Sequence, residues 1–399
     1  MLASSSDSLK VSALIPTYNR FPLTIVKGKG SFVWDEAGEK YLDFTSGIAT
    51  CNLGHIPEPV KMKLVEQLLT LWHCSNLYHI PKQEKLASLL VKQSFGDQVF
   101  FCNSGAEANE AAIKLARSYA QKEWGSEKYE IVTFTQSFHG RTLATLSATG
   151  QEKIQQGFAP LVPGFRYLPF NDMEALNSLV SDNTCAVLLE LIQGEGGVIP
   201  ANPEWVKKLD QICKENDLLL MVDEIQTGMG RTGSLFAYQQ YDIEPDVMSL
   251  AKGLGSGFPI GAIVANEKAA KGFQPGSHGS TFGGNPLAVT AGIATIEQMI
   301  QSDFMNTVKE LGTYLSEKLK ELKQTCSQIE DIRGKGLLQG IVIPKKAGQV
   351  VEKAREQKVL LLTAGPDVVR ILPPLTTSQE EIDDLIAVLE SIFKYSLTD

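Results

Sequence analysis

Between Gln98 and about Ala265, short apolar runs alternate with stretches of helical periodicity. The runs are residues 98–102, 130–134, 185–191, 218–223, 247–250 and 260–265. Their apolar residues are consecutive and do not alternate, which is the pattern of strands covered on both faces. The segments 107–122 and 203–216 between them carry apolar residues at helical spacing. This alternation predicts an α/β fold with a large, doubly wound, mostly parallel sheet.

The flanks read differently. Residues 31–43 predict a hairpin that turns at Glu36-Ala37-Gly38-Glu39. After Thr281 helices dominate, at 286–300 and 306–322, with short strands near 336–343 and 369–372. A last helix, 378–395, opens on Ser378-Gln379-Glu380-Glu381, the S-x-x-E signature of a capping box. A smaller α+β domain is therefore expected from both chain ends, 1–55 and 286–399, beside a large domain at 56–285. No internal repeat interrupts this order, and low complexity is confined to the Ser-rich first eight residues.

Composition narrows the class. A chain of 399 residues, 43% hydrophobic and 21% charged, suits one large domain with a smaller companion. Its net charge of −9 with no basic stripe argues against nucleic acid or an anionic membrane as partner. The six cysteines (Cys51, Cys74, Cys102, Cys185, Cys213 and Cys326) show no C-x-x-C pair and no Cys/His cluster suited to zinc. Buried thiols in a reducing compartment, and no metal, are the expectation. A cationic leader is not visible at the start, and the aliphatic stretch 218–222 is far below the roughly 20 residues that span a bilayer. A cytoplasmic location is expected.

Ligands of open α/β sheets bind beyond the carboxyl ends of the strands, so the polar residues that close each run are the ones to inspect. Asn103-Ser104-Gly105-Ala106-Glu107 closes the first run and opens a helix, whose free N–H groups suit a phosphate. Ser104 with Glu107 is equally a capping box that needs no ligand. Asp223 and Glu224 close a buried run, where a carboxylate needs a compensating partner. It could ligate a metal, cap a helix or pair with a cationic ring nitrogen. Lys252, beside Gly253 and Gly255, could be a nucleophilic amine or an ordinary surface lysine. Phe138 could stack on a flat ring or fill the core. Arg141 could clamp a carboxylate or be a solvated charge, and His139 could be a satisfied core residue. Lysine, carboxylate and phosphate cradle together suggest pyridoxal 5'-phosphate.

The run from Leu220 to Gly233 (LMVDEIQTGMGRTG), with Ala251-Lys252-Gly253 downstream, resembles the signature of class III pyridoxal-phosphate aminotransferases. NSGAEAN at 103–109, FHGRT at 138–142, QGEGG at 193–197, GSHGSTFGGNP at 276–286, RGKGL at 333–337 and RILPPL at 370–375 agree with it, in order, over nearly the whole chain. The resemblance implies a fold-type-I transferase in which Lys252 forms the Schiff base and then moves the proton. Asp223 would pair with the pyridine nitrogen, Gln226 approach the ring hydroxyl and Phe138 stack on the ring. Ser104, Gly105 and Ala106 would hold the phosphate. Thr281 would reach that phosphate from a neighbouring subunit, making a homodimer with shared sites. Arg141, Ser280, Glu195 and Arg370 would meet substrate, Glu195 neutralising Arg370 until a dicarboxylate displaces it.

Within the class the chain most resembles the acetylornithine aminotransferases, on Leu53-Gly54-His55, Leu71-Trp72-His73 and Ser75-Asn76-Leu77-Tyr78. That implies N-acetylornithine and 2-oxoglutarate as substrates in arginine biosynthesis, with succinyl-diaminopimelate as a possible second donor. An ornithine or 4-aminobutyrate aminotransferase, an aminomutase and a decarboxylase are the alternatives on the same scaffold. Ile56-Pro57-Glu58-Pro59 and Leu191 depart from the family pattern, the first expected near the substrate entrance. A nicotinamide dehydrogenase would need G-x-G-x-x-G between strand and helix, and Gly253, Gly255 and Gly257 lack that spacing.

Overall fold

The computed structural model describes residues 13–395 and 397; the Ser-rich start lies outside the described residues. Its strands in chain order are β1 (Ile25–Lys29), β2 (Phe32–Asp35), β3 (Lys40–Asp43), β4 (Gln98–Cys102), β5 (Glu130–Phe134), β6 (Phe165–Leu168) and β7 (Thr184–Leu189). They continue with β8 (Ile192–Gln193), β9 (Ile199–Pro200), β10 (Leu219–Asp223), β11 (Val247–Leu250), β12 (Gly261–Ala265) and β13 (Asp331–Lys335). The last are β14 (Leu338–Val342), β15 (Val359–Leu360), β16 (Leu362–Thr363) and β17 (Val368–Ile371).

Seven of them form the large sheet, in the order β4-β12-β11-β10-β7-β5-β6. The pairs from β11 to β6 are parallel. Apolar residues feed both faces of these strands. Leu219 and Met221 of β10 join the cluster that contains Ala108, Ala111 and Leu115 of the helix Gly105–Trp124. Leu220 and Val222 join the opposite cluster, with Trp205 and Leu209 of the helix Pro203–Glu215. Trp205 is fully buried, and its truncation to alanine would cost about 3–5 kcal/mol. Asn202 caps that helix by accepting from the amides of Glu204 (2.9 Å) and Trp205 (3.4 Å), a contribution of about 1 kcal/mol.

The sheet departs from a uniform parallel one at β12, which is antiparallel to both β11 and β4. Parallel strands need a crossover of about a dozen residues or more, usually a helix. Residues 251–260 hold just a short 3₁₀ turn, Lys252–Leu254, and the chain doubles back. The edge strand β6 has no apolar run to announce it. Its Arg166 turns aside to an ion pair with Glu130 at 2.8 Å.

Residues from both chain ends share sheets. β3 pairs in parallel with β15, β2 and β3 form the expected antiparallel hairpin, and β1, which the sequence did not announce, adds antiparallel to β2. The four-stranded sheet β13-β14-β17-β16 is antiparallel throughout. The final helix, Gln379–Tyr395, carries its capping box: the amide of Glu381 donates to Ser378 Oγ (3.2 Å) and that of Ser378 to Glu381 Oε2 (3.1 Å). Ser31 Oγ donates to the same carboxylate at 2.7 Å, tying this helix to the N-terminal hairpin. All six cysteines are free, Cys51 and Cys74 partly exposed and the other four buried. Among the described residues no helix is long and apolar enough to cross a membrane.

Candidate active site

β4, β5, β7, β10 and β11 run in one direction, so the residues that follow them meet at one edge of the sheet. There they enclose a cavity of about 450 Å³ whose wall includes Ser104, Gly105, Ala106, Phe138, Arg141, Glu195, Asp223, Gln226 and Lys252. Most of the residues proposed from sequence thus share one space. Arg370 reaches it through its bonds to Glu195 and Gln226. Ser280 and Thr281 stand apart, in an adjoining groove with Asn103, Glu107 and His278. Ile56 and Pro57 line a groove with Cys51, His55 and Val60 that shares Gly257 and Phe258 with the main cavity.

Asp223 anchors the cavity floor. Its Oδ2 accepts from Asn109 Nδ2 (2.7 Å) and His139 Nδ1 (2.8 Å), and its Oδ1 from the amide of Ile225 (3.1 Å). The carboxylate beside it requires the His139 proton on Nδ1. Ser249 Oγ in turn donates to Asn109 Oδ1 at 2.6 Å. Satisfied in this way, a buried carboxylate is held in one orientation.

Glu190, which follows β7, accepts from the amides of Phe138 (2.9 Å) and Gly194 (3.3 Å). Burial, and then the neighbouring Asp223 carboxylate, push its pKa well above the usual range. His139, Asn109, Ser249 and Glu190 had no assigned function from sequence. Two signals were available: Asn109 is a lone amide on a face of alanines, and Glu190 closes a buried run as Asp223 does.

Lys252 lies in the 3₁₀ turn after β11 with a φ of +42°, in the left-handed region. Such a conformation costs a non-glycine residue about 1–3 kcal/mol and clusters at functional sites. Its amine is part of the cavity wall, enclosed by protein atoms. That burial lowers its pKa below the ordinary lysine value, Arg370 adding to the effect while Glu195, Asp223 and Glu190 oppose it. Gly253, the next residue, has to be a glycine: a Cβ there would come within 2.2 Å of Asn52 Nδ2.

Ser104 caps the helix Gly105–Trp124, accepting from the amide of Glu107 at 3.2 Å. Glu107 folds back to the amide of Asn103 (2.5 Å), one residue before the position a capping box uses. The first amides of the helix have no partner further back in it. Arg141 is exposed, its guanidinium 5.6 Å from the Phe138 ring centre. Arg370 is 2% exposed, and its Nη1 donates to Glu195 Oε1 (2.6 Å) and Gln226 Oε1 (3.3 Å).

The model of the family described as "Aminotransferase class-III" matches residues 15–393. The chain is a class III aminotransferase. The acetylornithine aminotransferase of Oceanobacillus iheyensis is 59% identical to it, over 97% of each chain. That of Caldanaerobacter subterraneus is 51% identical, over 95% of this chain and 96% of its own. Among solved structures, the N-acetylornithine aminotransferase of Stenotrophomonas maltophilia superposes with a TM-score of 0.83 at 38% identity, covering 94% of this chain and 96% of that one. An ornithine aminotransferase of Toxoplasma gondii, a structure with pyridoxal phosphate at partial occupancy in its active site, gives 0.90 at 33% identity, over 94% and 91%.

The cofactor of this aminotransferase is pyridoxal 5'-phosphate, and the cavity fits it. Among the described residues, His139 Nε2 on the wall is buried without a partner. The helix N-terminus supplies amides for an anion, and Asp223 supplies a carboxylate fixed by three donors.

Proposed function

We propose that this aminotransferase transfers the terminal amino group of N-acetylornithine to 2-oxoglutarate. The products are N-acetylglutamate 5-semialdehyde and glutamate, as a step in arginine biosynthesis in the cytoplasm, with succinyl-diaminopimelate as a second donor. Residues 56–285 are the cofactor-binding domain in this reading, and the two chain ends build the smaller one.

Bound pyridoxal phosphate supplies an electron sink for the pair left when a carbon-bound proton departs. Ser104, Gly105 and Ala106 would hold its phosphate, Phe138 its ring face, Gln226 its ring hydroxyl, and Asp223 its ring nitrogen as a cation. Lys252 would hold it through the amine. Released by the incoming substrate amine, Lys252 Nζ takes the proton from the carbon that bears the amine; its lowered pKa keeps the free base available. Such a positioned base typically contributes about 10²–10⁴-fold.

The observation that carries the substrate reading is the Arg370–Glu195 pair at 2.6 Å. The donor's reacting carbon is a terminal methylene, so no carboxylate arrives beside it and Arg370 needs Glu195. The acceptor's reacting carbon bears a carboxylate, which takes Glu195's place. Arg141 stands ready for the far carboxylate, and Ser280 for polar substrate atoms. The relatives' names support the same donor.

The working unit is a homodimer, with Thr281 serving the phosphate of the partner subunit. Leu69, Trp72, Leu77, Tyr78 and Phe282 are all at least 60% exposed, an apolar surface of the kind that marks association. Leu77 lines an opening together with Ser280 and Thr281.

Mixing the holoenzyme with single amines tests the donor. N-acetylornithine should bleach the bound cofactor's absorbance fastest; faster bleaching by ornithine or 4-aminobutyrate overturns the donor. Sedimentation of a fully active monomer would overturn the dimer.

A further inference from the structure

We infer that Arg231 is a positioning residue that sets where Arg370 stands in the cavity. This inference rests on the reading of Arg370 as the acceptor's carboxylate clamp.

Arg231 is fully buried, and among the described residues no carboxylate pairs with it. Burial lowers its pKa to about 9. A buried cation of this kind is costly, and an apolar residue of similar volume often serves stability as well or better. What a guanidinium adds is a flat fork of donors that can hold several acceptors in one plane. Arg231 uses it on three segments. Nη2 donates to Asn52 Oδ1 at 2.7 Å, and Nη1 to the carbonyls of Leu337 (3.1 Å) and Pro373. The backbone joins the same arrangement, the amide of Leu337 donating to the Arg231 carbonyl at 3.0 Å.

Pro373 lies three residues beyond Arg370, just past the end of β17. The other contacts of this segment come from the N-terminal part of the chain. The amide of Leu372 donates to the Phe44 carbonyl (2.7 Å), Ser46 Oγ to the Leu372 carbonyl (2.6 Å), and the amide of Leu375 to the Asn52 carbonyl (2.7 Å). Asn52 therefore stands between Arg231 and the end of β17. Its Nδ2 also donates to the Met229 carbonyl at 2.7 Å and packs against Gly253, next to Lys252. The Arg231–Asn52 clasp thus joins the turn that presents Lys252 to the strand that presents Arg370. Loss of the fork frees the strand end on one side, and Arg370 moves relative to the cavity.

Glutarate, a dicarboxylate that cannot react, is the probe, titrated calorimetrically into the pyridoxal-phosphate-loaded protein. Arg231→Met should raise its Kd about tenfold, the size expected when coupled contacts are lost. In an Arg370→Ala background the same change should add less than about twofold, because the clasp acts through Arg370. An unchanged Kd in Arg370→Ala alone overturns the clamp reading and this inference with it. A normal loss in Arg370→Ala, with no effect of Arg231→Met or with additive losses in the double variant, overturns the inference alone. If Arg231→Met does not fold, Asn52→Ala, which removes one acceptor of three, should raise the Kd about threefold; no change there overturns it as well.

Discussion

The two ends of the cavity are built on opposite plans. At the floor, Asp223 terminates a strand buried on both faces and accepts from Asn109, His139 and Ile225. Its donors sit on a 20-residue helix, in the segment that follows β5 and just beyond β10 itself. At the mouth, Arg370 also comes from a buried strand, yet its carboxylate partner Glu195 sits in the Gly194–Gly197 turn between two-residue strands, with its side chain 34% exposed. Among the described residues Arg370 Nε has no partner, as is also true of His139 Nε2 at the floor. A carboxylate held by three donors away from solvent resists rearrangement, whereas a pair with one solvated member can open for a competing carboxylate. In the proposed reading, the chemistry common to both half-reactions falls on the rigid end, and the part that distinguishes two substrates on the end that can change.

Substitutions at the two ends should therefore fail differently. The largest loss is expected at the centre: Lys252→Ala should reduce steady-state turnover by at least about 10⁴-fold, and retention of a hundredth of the activity would break the assignment. Asp223→Asn keeps the shape but removes the charge, and should lower kcat by about 10²–10³-fold in both half-reactions equally. A loss confined to one half-reaction would mean that the floor, too, distinguishes substrates. Glu195→Ala should slow the half-reaction with the amino donor about tenfold while that with glutamate changes less than about twofold, read by single-turnover absorbance. Equal losses would erase the contrast between the two ends.

The smallest effect concerns pH. With the Lys252 pKa lowered by burial, the free base persists to lower pH than for an ordinary lysine. Capture of pyridoxal phosphate by the apoprotein needs that free base, so its rate should rise with pH through a midpoint below 10.5. A midpoint at 10.5 or higher would show a solvated amine and loosen the rigid end of the comparison.

The strands of the large sheet were legible where both faces are buried, as at β5, β10 and β11, because a short continuous apolar run suits a doubly covered strand far better than a loop or a surface helix. Of the edge strands, β4 still shows in its apolar Val-Phe-Phe-Cys, but β6 reads Phe-Arg-Tyr-Leu and β13 reads Asp-Ile-Arg-Gly-Lys, and neither pattern differs from a loop. The direction of β12 was hidden as well, since an apolar run has no sense of parallel or antiparallel. Its short connection to β11 was the available clue. In the site, Lys252, Asp223 and Ser104 stood out as polar residues closing apolar runs. Asn109 and Ser249 did not, because their meaning lies in a hydrogen bond across 140 residues of chain.

By itself the sequence determined the layered α/β order, the edge where chemistry gathers and, through its run of motifs, the family. These are consequences of local periodicity and of residue types at strand ends. The resemblance also anticipated that Glu195 meets Arg370, a contact across 175 positions, whereas the tertiary structure alone decided that Ser280 and Thr281 lie outside the main cavity. It also decided that Arg231 is buried at the meeting point of three segments. Burial and partnership belong to the packed chain, and no window of sequence contains both sides of such a contact.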